Sequence, residues 1–336
     1  MNEGIVLSGI QPTGELHIGN YFGAISNWVR LQESHRCYFT VVDLHAMTMP
    51  FEPAQLRQQT EQMVIDLLAC GIEPGRSLLF IQSLVPEHSE LCWILGCLCP
   101  YGDLTRQTQF REKSEQAAGA SAERFVSAGL FFYPVLQAAD ILLYRAAQVP
   151  VGKDQLQHLE LSRDIARRFN SRFGPLFPEP QPLLTETPKI HSLADPQRKM
   201  SKQFGPRHYI GLFEEEEGVR AKVRGAVTDV GDLPPGAPMS EGVANLFAIL
   251  DACASQEAAR LRSEYEAGER RYSRLKEAVA QALVEFIAPL RRRRAEIMGE
   301  REAVLRSVRE MSEQARETAQ ETMREVRRLA GLLPRD

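Results

Sequence analysis

The run from Ile5 to Val29 constrains this chain more than any other stretch. Ile5-Val6-Leu7 is a short β-branched and aliphatic segment, the pattern of a buried strand. Ile18, Tyr21, Phe22, Ile25, Trp28 and Val29 recur at three- and four-residue spacing, which predicts an amphipathic helix. Between them lies Ser8-Gly9-Ile10-Gln11-Pro12-Thr13-Gly14-Glu15-Leu16-His17-Ile18-Gly19-Asn20, rich in turn-forming residues. Strand, small-residue turn and helix N-terminus make a phosphate-binding layout. Free backbone N–H groups and the positive end of the helix dipole both point into the turn. Gly9, Gly14 and Gly19 would let backbone approach an anion closely. His17 and Asn20, one turn apart, can face the same side.

Many βα units open with such a turn, so the turn alone decides little. A second stretch, Lys199-Met200-Ser201-Lys202, lies about one nucleotide-binding domain further on. Together the two resemble the paired signatures of class I aminoacyl-tRNA synthetases. His17-Ile18-Gly19-Asn20 resembles the first, with Asn20 in place of a final His. Lys199 to Lys202 resembles the second, and departs from it at Gln203, where Ser is usual.

With 336 residues the chain has room for a large core and two domains. Its 43% hydrophobic and 25% charged residues are those of an ordinary soluble globular protein. No apolar run is long enough to span a membrane, and the N-terminus enters a strand with no charged-then-apolar leader. A net charge of −4 excludes an all-basic surface, so a nucleic-acid partner would be held by a local patch. Among the six cysteines, Cys37, Cys70 and Cys92 sit in apolar runs and read as buried thiols. The spacing of Cys92, Cys97 and Cys99 suits neither zinc nor iron–sulfur ligation, so no protein-held metal is expected. A reducing, cytoplasmic location follows.

Further strands are expected at 37–42, 77–82 and 148–151, and helices at 54–70, 90–98, 134–144 and 154–169. Asp43, His45 and Thr48 follow the second strand, where open α/β sheets place ligand groups. The alternation predicts an α/β fold, a Rossmann-type doubly wound parallel sheet. Residues 103–127 read as a polar segment carrying Arg106, Arg111, Lys113 and Arg124. Residues 173–188 are Pro-rich and read as a linker. From about 206 the pattern is helical. Ala244, Leu246, Phe247, Ile249 and Leu250 form one buried face, and Leu275, Val279, Leu283 and Phe286 another. A long amphipathic helix ends the chain, with Val304, Val308, Met311, Ala315, Thr322, Val326 and Leu329 on its apolar side. The expected division is a catalytic domain over 1–188, a loop over 189–205, a C-terminal all-α domain over 206–298, and a helix and tail over 299–336. The basic run Arg291 to Arg294 reads equally as a solvated helix end or an RNA contact.

Asp140 stands out as a carboxylate in Val135-Leu136-Gln137-Ala138-Ala139-Asp140-Ile141-Leu142-Leu143, otherwise almost wholly apolar. Such a group needs a partner. The partner is either an arginine such as Arg145 or a ligand. A fixed acceptor in an apolar slot would select a ligand that carries a donor.

Several stretches in order resemble the bacterial-type tryptophanyl-tRNA synthetase family: Ser8 to Gly14, Val42 to Ala46, Phe80 to Ser83, Thr108 to Ser114, Ala138 to Tyr144, Val149 to Gln155 and Ala226 to Asp229. The resemblance implies ATP with Mg²⁺, L-tryptophan and tRNA(Trp) as partners, a homodimer, and anticodon reading by the helical domain. It implies that Asp140 accepts from the indole N–H. Leu7, Gln137, Val149 and Val151 would line the indole pocket, with Leu7 and Gln137 departing from the usual aromatic and Met. Tyr133 and Gln155 would hold the α-amino group. His45 falls near the substrate, or is a strand-end histidine bonded to backbone. Gln11, Pro12, Thr13, Gly19 and Asn20 would lie beside the nucleotide, Gly152, Lys153 and Asp154 at the ribose, and Ile190 at adenine. Lys153 stands where most relatives have Glu. Lys113, Lys199 and Lys202 would surround the triphosphate, and Met200, Ser201 and Gln203 would belong to a mobile loop closing over it. His17 and Asn20 complete the catalytic set. One cleft shared by Asp140, His17 and Lys202 is therefore expected. A tyrosyl-tRNA synthetase, a small-molecule nucleotidyltransferase and a synthetase-like paralogue without charging activity are the competing readings. Some relatives carry an iron–sulfur cluster in the helical region, where this chain has only Cys253.

Overall fold

A computed structural model describes residues 4–107, 126–152, 155–184, 188–229 and 238–334. Apolar and β-branched runs form β1 (Ile5–Ile10), β2 (Arg36–Val41), β3 (Ser77–Ile81) and β4 (Gln148–Val151). A fifth strand, β5 (Gln181–Leu184), completes one parallel sheet in the order β3-β2-β1-β4-β5. Side chains alternate between its faces. Val6, Cys37, Phe39 and Leu79 join one apolar cluster, and Leu7, Tyr38 and Phe80 the other. Both faces are therefore covered, as an all-parallel sheet requires.

The strand β5 corrects the expected linker. Pro182 and its neighbours lack a strand-like pattern, but β5 lies at the sheet edge, where a missing N–H is tolerated.

The helix after β1 also differs in detail. Helix α1 (Ile18–Asn20) passes into a π-helical turn (Tyr21–Ile25) and then α2 (Ser26–Leu31). One wider turn rotates the rest of the helix, so Ile18, Phe22, Ile25 and Trp28 are buried while Tyr21 and Val29 are only half-buried. Such π turns occur often at functional sites. Here Gly23, Ala24 and Asn27 face a cavity.

The short α3 (Asp43–Ala46) follows β2, and α4 (Pro53–Ala69) covers the same sheet face as α1 and α2. Helices α5 (Glu87–Gly96), α6 (Tyr101–Thr105), α7 (Ala128–Leu143) and α8 (Leu156–Phe173) supply the other face. The helical remainder comprises α9 (Glu216–Arg224), α10 (Glu241–Cys253), α11 (Ser255–Glu266), α12 (Tyr272–Gly299) and α13 (Arg301–Ala330). The expected faces of α10 and α12 are buried except at Ala244, which is exposed, and Phe286, half-buried against Tyr21 and Phe22.

In the basic run, Arg294 donates to Asp66 on α4 (2.8 Å) and Arg291 to the Glu214 carbonyl (2.9 Å). Only Arg292 and Arg293 are exposed. Half of that run therefore staples α12 to its neighbours.

The terminal helix α13 does not stand apart. Ala315, Ala319, Met323 and Val326 share the cluster of Leu7, Tyr38 and Phe80. Ser312 Oγ accepts from the Ile81 N–H (3.4 Å), and Thr318 Oγ1 meets the Tyr38 hydroxyl (3.2 Å). The periodicity showed an apolar side but not which element would cover it.

Candidate active site

In the sheet order the chain changes direction between β1 and β4. Parallel sheets open a crevice at the carboxyl ends of such strands. A cavity of about 320 Å³ lies there, bounded by Ser8, Gly9 and Gln11 after β1 and by Val149 to Gly152 at β4. Leu7, His45, Tyr133, Gln137, Asp140, Val149, Val151 and Gln155 all line it. A second cavity of about 540 Å³ is lined by Gln11, Thr13, Gly14, His17, Asn20, Ser201, Lys202 and Gln203, among others. The single cleft expected from sequence is thus two cavities, and Gln11 lines both.

In the second cavity, His17 is the N-cap of α1 and forms a capping box with Asn20. Its N–H donates to Asn20 Oδ1 (3.1 Å), and its Nδ1 accepts the Asn20 N–H (3.3 Å). Asn20 at this place in the signature therefore closes the box itself. Burial, then Lys202 and Lys199, pull the imidazole down to about 4. His17 is neutral at pH 7, and with Nδ1 accepting, its proton sits on Nε2 as a donor. A Cβ on Gly19 would stand 3.0 Å from His17 Nδ1, so this glycine makes room for the ring. Gly14 has φ +92°, a conformation that favours glycine.

Lys202 Nζ donates to the carbonyls of Thr13 (3.0 Å) and Glu15, which ties the late signature to the early turn. Burial lowers its ammonium from the usual value. Ser201 Oγ accepts from the Gln203 N–H. Not every named residue faces a cavity. Met200 is 2% exposed, its N–H donating to the Ile190 carbonyl (3.2 Å). It is a core residue, so the part of this segment that faces the cavity is Ser201 to Gln203. Ile190 and Pro12 are buried, and Lys199 is exposed in a bridge to His191. Lys113, Lys153 and Asp154 lie outside the described residues.

In the first cavity, Asp140 is 3% exposed and its partner is neither Arg145 nor a backbone group. Oδ1 accepts from Gln82 Nε2 (2.7 Å) and His88 Nδ1 (2.6 Å), and Oδ2 from His45 Nε2 (2.8 Å). Burial pushes the Asp140 carboxyl up, but hydrogen bonds and charge from His45 and His88 outweigh it and hold the group at about 2. Asp140 is therefore an anion at neutral pH. His45 is not a strand-end histidine held by backbone; its ring belongs to this carboxylate. Sequence reasoning missed Gln82 and His88. Gln82 falls in the family-like stretch Phe80 to Ser83, but nothing local ties either residue to Asp140. Across the cavity, Tyr133 Oη bonds His158 Nε2 (2.8 Å), and burial pushes the phenol up to about 12.

Residues 2–288 match the family described as tRNA synthetases class I (W and Y). The chain belongs to that family. A relative named tryptophan–tRNA ligase 2, from Streptomyces avermitilis, is 45% identical over 98% of this chain and 97% of its own. The tryptophan–tRNA ligase of Clostridium perfringens is 42% identical over 98% of each. The tryptophanyl-tRNA synthetase of Campylobacter jejuni, solved with ADP and tryptophan, superposes with a TM-score of 0.82 at 34% identity, covering 98% of this chain and all of that one. The tyrosyl-tRNA synthetase of Aeropyrum pernix, at 20% identity and a TM-score of 0.65, shares the fold.

Proposed function

We propose that this protein is a tryptophan–tRNA ligase. It activates L-tryptophan with ATP to tryptophanyl-adenylate and pyrophosphate, then transfers tryptophan to tRNA(Trp). The observation that carries the reading is an ionised Asp140 on the wall of a mostly apolar cavity, with three of its four acceptor sites filled. The remaining site suits one N–H donor, and indole has one. A phenol can both donate and accept, so it matches this arrangement less well.

The indole ring would lie among Leu7, Gln137, Val149 and Val151, and the α-amino group would meet Tyr133 and Gln155. ATP would occupy the second cavity, with its α-phosphate near Gln11 where the cavities meet. The tryptophan carboxylate attacks that phosphorus and pyrophosphate leaves with its electron pair. No protein nucleophile is needed, because the substrate supplies one. Positioning and charge stabilisation carry the rate. His17 Nε2–H and the α1 N-terminus would face one side of the phosphates and Lys202 the other, and the family resemblance assigns Lys113 and Lys199 to the same triphosphate. The described lining residues offer no carboxylate, so Mg²⁺ would be held by phosphate oxygens, where it would neutralise charge.

The helical region would read the anticodon, and a homodimer is the assembly we favour. Trp93 and Tyr101 are 71% and 75% exposed, a surface that a second copy would cover. Among the described residues no helix is long and apolar enough to cross a membrane, and a cytoplasmic location fits.

Pyrophosphate exchange with each amino acid, followed by charging of tRNA, tests the reading. Exchange with tryptophan alone, followed by charging, is expected. Tryptophan exchange without charging would instead mark a paralogue, and tyrosine exchange would overturn the assignment. Light scattering of the same preparation should report twice the 37.8 kDa chain.

Gln137 places an amide on the wall of the proposed indole cavity. Gln137→Met is expected to shift inhibition by ring-substituted tryptophan analogues several-fold, about what one hydrogen bond contributes, with tryptophan itself less affected. Identical inhibition profiles would retire a role for this amide.

A further inference from the structure

We propose that His88, together with Gln82, is a positioning residue for tryptophan recognition: they saturate Asp140 Oδ1, so that the one acceptor site left for an indole N–H is on Oδ2. The inference rests on the tryptophan reading above. Each carboxylate oxygen accepts two hydrogen bonds. Oδ1 takes Gln82 Nε2 and His88 Nδ1, and Oδ2 takes only His45 Nε2. The three donors come from the end of β3, from α5 and from α3, so the carboxylate plane is pinned from three directions.

His88 is fully buried and lines neither cavity, so it acts on a ligand only through Asp140. Its protonation pattern is set by its partners. The Asp140 carboxylate has no proton to give, so His88 Nδ1 carries the hydrogen. Its Nε2 meets the Tyr144 hydroxyl, 2.8 Å away. Tyr144 is 1% exposed and stacks on Tyr38 at 4.7 Å, which fixes the far end of the relay.

A pinned carboxylate discriminates better than a loose one. With Oδ1 saturated, a ligand lacking the N–H leaves the last site on the buried Asp140 Oδ2 unpaired. Without His88, the carboxylate can turn or take up a proton, and the penalty against such a ligand shrinks.

The measurement is the ratio of kcat/KM in pyrophosphate exchange for tryptophan over benzothienylalanine, in which sulfur replaces the ring N–H. His88→Leu is expected to lower that ratio about tenfold or more, with KM for ATP within about twofold of native. His88→Asn keeps an N–H near the position of Nδ1 and should recover most of the ratio. Tyr144→Phe keeps the ring packing but releases His88, and should lower the ratio about threefold. Circular dichroism establishes that each variant folds. A native ratio in folded His88→Leu overturns the proposal. If His88→Leu does not fold, a native ratio in Tyr144→Phe overturns it. Native protein showing no exchange with tryptophan would sink the tryptophan reading itself.

Discussion

Asp140→Ala is expected to lower kcat/KM for tryptophan in pyrophosphate exchange by about 10³-fold or more, with KM for ATP near native. The size reflects the groups left behind. Gln82, His88 and His45 would each point a donor into an emptied, buried space, and the indole N–H would lose its acceptor. The variant is also expected to lose about 3–5 kcal/mol of stability, the usual effect of removing one partner from a buried charge network. Asp140→Asn offers no escape. Whichever way its amide turns, its NH₂ faces at least one donor that the carboxylate accepted. Both variants should bind ATP normally, because the second cavity does not include residue 140. A variant that exchanges pyrophosphate with tryptophan as the native protein does would remove the carboxylate from recognition.

The same group sets an acid limit. Its folded value of about 2 lies below the ordinary 3.8, so ionised Asp140 supports the fold above about pH 4. That support is lost as pH falls through 2. Acid unfolding of Asp140→Asn should therefore be flatter than native over that window.

The sequence made some of this legible and not the rest, for physical reasons. The strand, turn and helix from Ile5 to Val29 were visible because strand and helix periods differ and glycine marks the turn. Asp140 was visible as a charge in an apolar run. Its donors were not, since Gln82, His88 and His45 are brought together only by the stacking of three elements. The strand β5 was hidden because edge pairing removes the usual argument against Pro182. The burial of Met200 was hidden for a related reason. A short signature read for its lysines gives no hint that its methionine packs into the core. Whether Asp140 and Lys202 share one cleft depends on how β1 and the segment at 199–203 sit together, which no local pattern carries. On the proposed reading, two cavities meeting at Gln11 would keep the charges on ATP out of the apolar slot while leaving the reacting groups adjacent.

That division leads to the second large effect. Lys202→Ala is expected to slow adenylate formation by about 10²–10³-fold, while tryptophan binding measured without ATP changes by less than about twofold. Lys202 has two jobs in the structure. Its ammonium is the described cation that lines the second cavity, so on the proposed reading it would meet the negative charge growing on the departing pyrophosphate. It also donates to the Thr13 and Glu15 carbonyls, holding the turn before His17 against the segment from Ser201. Lys202→Arg keeps the charge but changes its geometry, because a planar guanidinium does not reproduce a compact ammonium. If charge dominates, arginine should recover at least tenfold over alanine. If the carbonyl contacts dominate, both variants should fail alike, and His17 would lose the placement that its capping box provides. Equal loss of tryptophan binding and of adenylate formation would contradict either role, since the tryptophan cavity does not include residue 202.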